Sequence, residues 1–388
     1  MTLQAEIQKR QQAVSDLKRQ VEQITALAGD DKKAGIRVAD ALRKRKLRAS
    51  LKDVKIREPA DVQRRLANSA DIYSFLTCYF PDVFWGDWTE QRREMVAAIL
   101  NAARYGGDQA IAAPRGEGKT SIVQCVTIYC VMHGILSFPL IAAATGPNAE
   151  QILANIKYQL ERNQALADDY PEICDPILAL DGTAQRGATQ TANGKRTFLK
   201  WAQDYIVLPT VRVPDHWDQR LRPGQPSLGS GAVITTRGLD SAIRGVLVGT
   251  KRPDLVIIDD PETRDSARSG VQTDLRARTI EADLAGLGGP GKRLARVMLT
   301  TTMSSYSLSA TYIDRARKPS WKGRRMQFIV AWPDRKDLWD RYIEQRQTNQ
   351  NTGDDTARGA NRFYLDHRAE MDAGAVTGNP SRYITDPA

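Results

Sequence analysis

Histidine is nearly absent: His133, His216 and His367 are the three in 388 residues, which leaves a histidine-based metal centre without ligands. Cysteine is almost as scarce. Cys78, Cys125, Cys130 and Cys174 show no metal-ligand spacing, and buried thiols fit them better than a disulfide framework or a zinc site. Long apolar runs are missing too. No stretch reaches the roughly 18–20 residues of a membrane span, and no charged–apolar–small leader opens the chain. These absences leave an intracellular globular machine of two to three domains as the expectation.

What the chain has in excess is positive charge, unevenly placed. Of a net +10, residues 1–58 carry 15 Lys and Arg against 8 Asp and Glu. The centre of this arm is Arg43-Lys44-Arg45-Lys46-Leu47-Arg48, a cluster that favours a polyanion such as nucleic acid, or else a solvated helix face. Before it, Ile7, Val14, Leu17, Val21 and Ile24 follow heptad-like steps, interrupted at Arg10. That seam suits a short coiled coil, a helix docked on a partner, or an amphipathic helix packed on its own domain. A polar stretch around Arg57-Glu58-Pro59 separates this helical arm (1–60) from the body.

The body holds a glycine-rich loop. Residues 113–120 read Ala-Pro-Arg-Gly-Glu-Gly-Lys-Thr between an apolar run (110–113) and a longer apolar stretch (122–136). Strand, glycine turn and helix is the context in which backbone N–H groups and a helix N-terminus cradle phosphates. Lys119 would reach the β/γ-phosphates and the Thr120 hydroxyl would ligate Mg²⁺; Ala113 departs from the pattern where its first glycine belongs. A second signal is Leu255-Val256-Ile257-Ile258-Asp259-Asp260-Pro261-Glu262. Four apolar residues ending in paired acids predict a buried parallel strand with a carboxylate at its C-terminal end. Asp259 fits the metal position, and Asp260 or Glu262 the residue orienting the attacking water. Together the two motifs predict binding and hydrolysis of ATP.

Around them the pattern alternates. Thr89 is placed as the N-cap of a helix carrying Gln91, whose amide offers a donor and an acceptor to an adenine edge. Strands are expected at 140–144, 232–236, 297–301 and 327–332, and a helix start with a capping box at Asn148–Gln151. Residues 180–230, with one apolar island at 205–208, read as an insertion on the sheet edge. The expected fold is α/β, with a mostly parallel, helix-covered sheet over 61–335.

In order, Trp88…Gln91, Arg115–Thr120, Ser241-Ala242-Ile243-Arg244-Gly245, Arg252-Pro253-Asp254 running into Asp259-Asp260, and Leu299-Thr300-Thr301-Thr302 carry a specific resemblance. Over roughly 65–335 the chain resembles the P-loop ATPase domain of the large terminase subunit, the DNA-packaging motor of tailed bacteriophages. The resemblance implies ATP and Mg²⁺ as cofactors. It implies a nucleotide site of Gln91, Arg115, Gly116, Glu117, Gly118, Lys119 and Thr120, with Thr120 and Asp259 at the metal. Glu262, shortly after the metal-binding Asp259, would be the preferred residue to position the attacking water, with Asp260 the alternative. Arg115 would stabilise charge in cis, and Arg244 would sense nucleotide or reach a neighbouring subunit, or the two would exchange roles. Thr300, Thr301 and Thr302 would couple phosphate loss to the DNA-gripping surface. Implied partners are double-stranded DNA, a portal protein, a small terminase subunit and further copies in a ring, a pentamer by the resemblance. The place of action would be the host cytoplasm and the procapsid.

The family's nuclease domain has no counterpart in residues 336–388, which read as a helical linker. Their acids (Asp354, Asp355, Asp366, Glu370, Asp372) lack apolar strands to converge them, so no DNA cleavage is expected. A superfamily-2 helicase would share the motifs but bring a second recombinase-like domain. A non-catalytic assembly protein would have lost Lys119, Thr120 or Asp259.

Overall fold

The computed structural model describes residues 53–241, 243, 245–289, 294–351 and 358–379. Four features read from the sequence lie outside them: the Arg43–Arg48 cluster, the Ile7–Ile24 seam, Arg244, and the acids Asp354 and Asp355.

An eight-stranded sheet organises the chain. Its strands are β1 (Asp108–Ala112), β2 (Pro139–Ala143), β3 (Lys200–Trp201), β4 (Tyr205–Val207), β5 (Val233–Gly238), β6 (Leu255–Asp259), β7 (Ala295–Thr300) and β8 (Trp321–Arg325). Across the sheet they run β8-β1-β7-β6-β2-β5-β4-β3. The first six in that order are parallel, and β4 and β3 close the far edge antiparallel. The insertion at 180–230 therefore lends its apolar island to the sheet edge. Alternation along each strand divides the core. Ile111, Ile141, Ile257, Val297 and Leu299 face one helical layer; Ala110, Leu140, Ala142, Val256, Ile258 and Met298 face the other.

The first layer holds α1 (Val62–Ala70), α2 (Ile72–Tyr79), α3 (Glu90–Tyr105), α4 (Lys119–Met132), α5 (Gly146–Arg162), α6 (Gln164–Asp169) and α7 (Pro171–Leu178). Thr89 caps α3 by accepting the Arg92 N–H. α4 is buried on every side from Ile122 to Met132, which is why its sequence shows no amphipathic period. Cys125 and Cys130 lie buried on it, and all four cysteines are free. α5 starts before the expected capping box, because the Thr145 hydroxyl accepts the Asn148 N–H and Pro147 fits a first turn. The second layer is thinner: α8 (Gly270–Arg278), a π-helical turn (Thr279–Leu284) and α9 (Leu308–Ile313). Beyond the sheet, α10 (Lys336–Asn351) pairs with α11 (Arg358–Asp372), which holds Asp366, Glu370 and Asp372.

One sequence expectation needs correction. The strand expected at 327–332 is not in the main sheet: Ile329–Ala331 pairs antiparallel with Val376–Thr377, and the sheet instead ends on Trp321–Arg325. Around Arg57-Glu58-Pro59 the chain is bonded to the body. Arg57 pairs with Asp175 at 2.8 Å and bonds the Ala167 carbonyl, while Glu58 accepts from the Trp217 indole.

Polar groups tie α1 to α6 and α7. Arg65 is buried and doubly bonded to Glu172, and its guanidinium lies over the Tyr170 ring. Next to it His133 is fully enclosed, one ring nitrogen on the Tyr129 carbonyl and the other on the Tyr170 hydroxyl. Burial pushes the His133 pKa down to about 3. The unfolded chain thus takes up a proton near pH 6.5 that the folded chain refuses, and stability is lost as pH falls from there toward 3. The slope from this one group is about 1.4 kcal/mol per pH unit. Denaturant titrations between about pH 6 and pH 4 should show His133→Gln with a slope shallower by one proton. Equal slopes would mean that the imidazole is charged in the fold.

Candidate nucleotide site

Strand register builds the site. Ala112 at the end of β1 lies opposite Thr300 at the end of β7, and Asp259 at the end of β6 lies opposite Leu299. Three motifs far apart in the chain thereby meet at the carboxyl end of a parallel sheet, where open α/β sheets bind ligands. Backbone bonds close the join: Ala113 N–H to Thr300 O at 2.9 Å, and Asp260 N–H to Leu299 O at 3.0 Å.

From β1 the chain turns through 113–118 into α4. Gly116 and Gly118 take φ of +86° and +79°, values open to glycine and costly for a residue with a Cβ. Gly118 is the N-cap, so α4 begins at Lys119 with its first N–H groups toward the loop. The Lys119 side chain folds back under the loop, its Nζ 3.1 Å from the Pro114 carbonyl and 3.4 Å from that of Ala113. Burial pulls its pKa down, and Asp260, Asp259 and Glu117 oppose that. Arg115 stands exposed on the crest of the loop.

Across the cleft, the Thr120 hydroxyl donates to Asp259 Oδ2 at 2.7 Å. Asp259 is buried, and its Oδ1 has no hydrogen-bond partner. Burial, reinforced by Asp260, pushes its pKa up to about 7, against the pull of Thr120 and Lys119. A buried carboxylate oxygen left open beside a threonine hydroxyl is a fit for Mg²⁺, which uses one or two protein oxygens and takes the rest from water and phosphate. Among the described residues, no group of three or more His, Cys, Asp or Glu is placed to hold a metal by itself.

Asp260 and Glu262 point to different surroundings. Asp260 sits at φ +38°, a strained value for a non-glycine residue, and its Oδ1 accepts the Thr301 N–H at 2.7 Å. It therefore joins the acid strand to the threonine strand and lies within the field of Lys119. Glu262 is buried toward the second helical layer. It accepts from the Thr273 hydroxyl at 3.3 Å and faces the backbone N–H groups of Leu308 and Ser309. Burial raises its pKa in spite of those donors and Arg276.

Thr300 is buried at the end of β7, and Thr301 and Thr302 lead away from it, Thr301 partly buried and Thr302 exposed in part at the mouth of a cleft. Gln91, on the first turn of α3, donates to the Gln327 carbonyl at 2.8 Å. Glu117 is buried and accepts from Asn379 at 3.0 Å, so the segment after α11 reaches the loop. Neither Asn379 nor Arg92 is singled out by the sequence. The Arg92 Nη2 lies 3.9 Å from where a Gly118 Cβ would stand, which puts a third cation, after Lys119 and Arg115, beside the loop. Its place one residue after Gln91 is the signal that could have found it.

No protein-family model matches the chain, and no curated protein matches it. Solved structures similar to it include the ATPase domain of the large terminase of Thermus phage P74-26, at 12% identity over 73% of this chain and 98% of that one, with a TM-score of 0.35. An arginine-to-alanine mutant of that domain gives 11% identity, 67% and 92% coverage and a TM-score of 0.34. The large terminase of bacteriophage HK97 gives 13% identity and a TM-score of 0.35, over 80% of this chain but 54% of that protein, so this chain spans about half its length. Likenesses this low carry no weight about chemistry, which rests on the residues themselves.

Proposed function

We propose that this chain is an ATP-hydrolysing motor subunit that drives double-stranded viral DNA into a preformed capsid. The observation that carries the ATPase reading is the 2.7 Å bond from Thr120 to Asp259, which joins the glycine loop to the acid strand above a buried lysine. The packaging reading rests on the ordered set of motifs in the sequence.

In this reading, the N–H groups at the start of α4 and the Lys119 ammonium bind the β/γ-phosphates, and Arg115 and Arg92 add positive charge from the two sides of the loop. Thr120 and Asp259 would hold Mg²⁺, which would supply neutralisation of phosphate charge. Asp260 orients the attacking water. It replaces Glu262, which the resemblance favours, because its carboxylate ties the acid strand to the threonine strand beside the loop, whereas Glu262 is turned toward Thr273 and the start of α9. Thr300, Thr301 and Thr302 form the coupling segment, joined to the acid strand by the bond from Thr301 to Asp260. Gln91 reads the base, and its amide, held by the Gln327 carbonyl, leaves its oxygen for an amino group.

Portal protein, small subunit, a ring of copies and the host cytoplasm complete the proposal. Among the described residues, no helix is long and apolar enough to cross a membrane. The test is protection of duplex DNA from added nuclease by preformed shells carrying a portal. Protection that needs both this chain and ATP is expected, and ATP-dependent separation of the strands without protection would favour a helicase instead.

A further inference from the structure

The segment 314–325 reads Asp-Arg-Ala-Arg-Lys-Pro-Ser-Trp-Lys-Gly-Arg-Arg, six Lys and Arg against one acid. The fold splits it between two faces: Arg315, Arg317 and Arg325 lie on the side of α9, whereas Lys322 and Arg324, in register with Gln109 and Ile111, face the first helical layer. The segment's first half turns tightly after α9, with Ala316 N–H on the Asp314 carboxylate and Lys318 N–H on the Asp314 carbonyl, both at 2.9 Å. Its second half is β8, the outer strand beside β1. The halves lie close because Gly323 has no side chain: a Cβ there would stand 2.2 Å from the Ile313 carbonyl oxygen. Trp321 anchors the strand from below, buried under the Arg296 guanidinium.

Internal pairing accounts for half of the charge. Lys318 bonds Glu281, Arg324 bonds Glu94, and Arg317 lies 3.5 Å from Asp314. Arg315, Lys322 and Arg325 are exposed and form no ion pair among the described residues. A cleft of about 550 Å³ opens between this edge and the segment after β7. Thr302, Ser304 and Ser305 line it on one side, and Asp314, Arg317 and Arg325 on the other. The Ser304 hydroxyl is buried there without a hydrogen-bond partner. Arg325 lies in register with Ala112, so the cleft is next to the nucleotide site and begins where the threonine segment ends.

Charged side chains on an outer strand also discourage sheets from pairing edge to edge. That explains Lys322 and Arg324. It does not explain Arg315 and Arg317 on the turn, nor a cleft that sets hydroxyls opposite guanidiniums. Hydroxyl and guanidinium donors together are what proteins place against phosphodiester oxygens.

We propose that this basic edge and its cleft grip the phosphate backbone of duplex DNA, Arg317, Arg325 and the hydroxyls of Thr302, Ser304 and Ser305 within the cleft, Arg315 beside it on the turn. The inference rests on the packaging reading and supplies the surface that the reading lacks. It places the DNA contact on the segment that leaves Thr300, so a change at the γ-phosphate has a short path along the chain to the grip.

The test is binding of a fluorescently labelled duplex to the full chain across a salt series, with phosphate release measured in parallel. Each phosphate contact contributes a log–log slope of about −0.9, so the combined variant Arg315→Ala, Arg317→Ala, Arg325→Ala should flatten the slope by about 2–3 with an unchanged melting transition. A matched variant of the arm, Arg43→Ala, Arg45→Ala, Arg48→Ala, apportions the remainder. If the parent binds duplex but the edge variant keeps its slope, or the whole change belongs to the arm, the edge is not the grip and the motor reading stands. If duplex neither binds the parent nor alters its phosphate release, the motor reading itself falls.

Discussion

Lys119→Ala is expected to lower ATP turnover by about a thousandfold, the loss that follows removal of one preorganised donor aimed at developing negative charge. The magnitude follows from where the ammonium sits. It is buried beneath the loop, where low dielectric strengthens its pull on phosphate. Its two hydrogen bonds go to loop carbonyls, not to core side chains. The substitution should therefore spare the fold, and a melting transition close to that of the parent is the companion measurement. Folded Lys119→Ala that hydrolyses ATP at the parent rate would remove the lysine from the chemistry.

Asp260→Asn is expected to slow single turnovers by about 10²–10⁴-fold, the range for a positioned group that handles the proton of a nucleophile. Asparagine keeps the oxygen that accepts the Thr301 N–H, so the joint between the acid and threonine strands survives while the charge is lost. Glu262→Gln should cost much less, because the amide can still accept from Thr273 and its surroundings are α9 rather than the loop. The readout is the single-turnover rate at saturating Mg·ATP, with nucleotide affinity measured separately. A large loss in Glu262→Gln and a small one in Asp260→Asn would exchange the two assignments.

The glycine loop and the acid strand were legible in the sequence because each is contiguous: Gly116 to Thr120, and Leu255 to Asp259. The parallel sheet followed from buried apolar strands alternating with helices. What stayed hidden depends on contacts between distant residues. Trp321–Arg325 does not read as a strand, since an outer strand with Lys322, Arg324 and Arg325 shows no apolar alternation. Phe328–Trp332 does alternate, yet its partner is Val376–Thr377, and Phe328, Val330 and Trp332 are exposed. The direction of Glu262 is set by α9, far along the chain, and no local pattern encodes it. The same holds for Arg92 and Asn379, which reach the loop only once α3 and the segment after α11 are in place.

Phosphate release from Mg·ATP by the purified full chain, with and without a metal chelator, tests the central claim most directly. The account predicts turnover that needs Mg²⁺ and is lost alike in Lys119→Ala and Asp259→Ala, because the two side chains serve one bound phosphate group from neighbouring elements of the sheet's carboxyl end. Turnover that survives chelation, or that is the same in the parent and both variants, would contradict it.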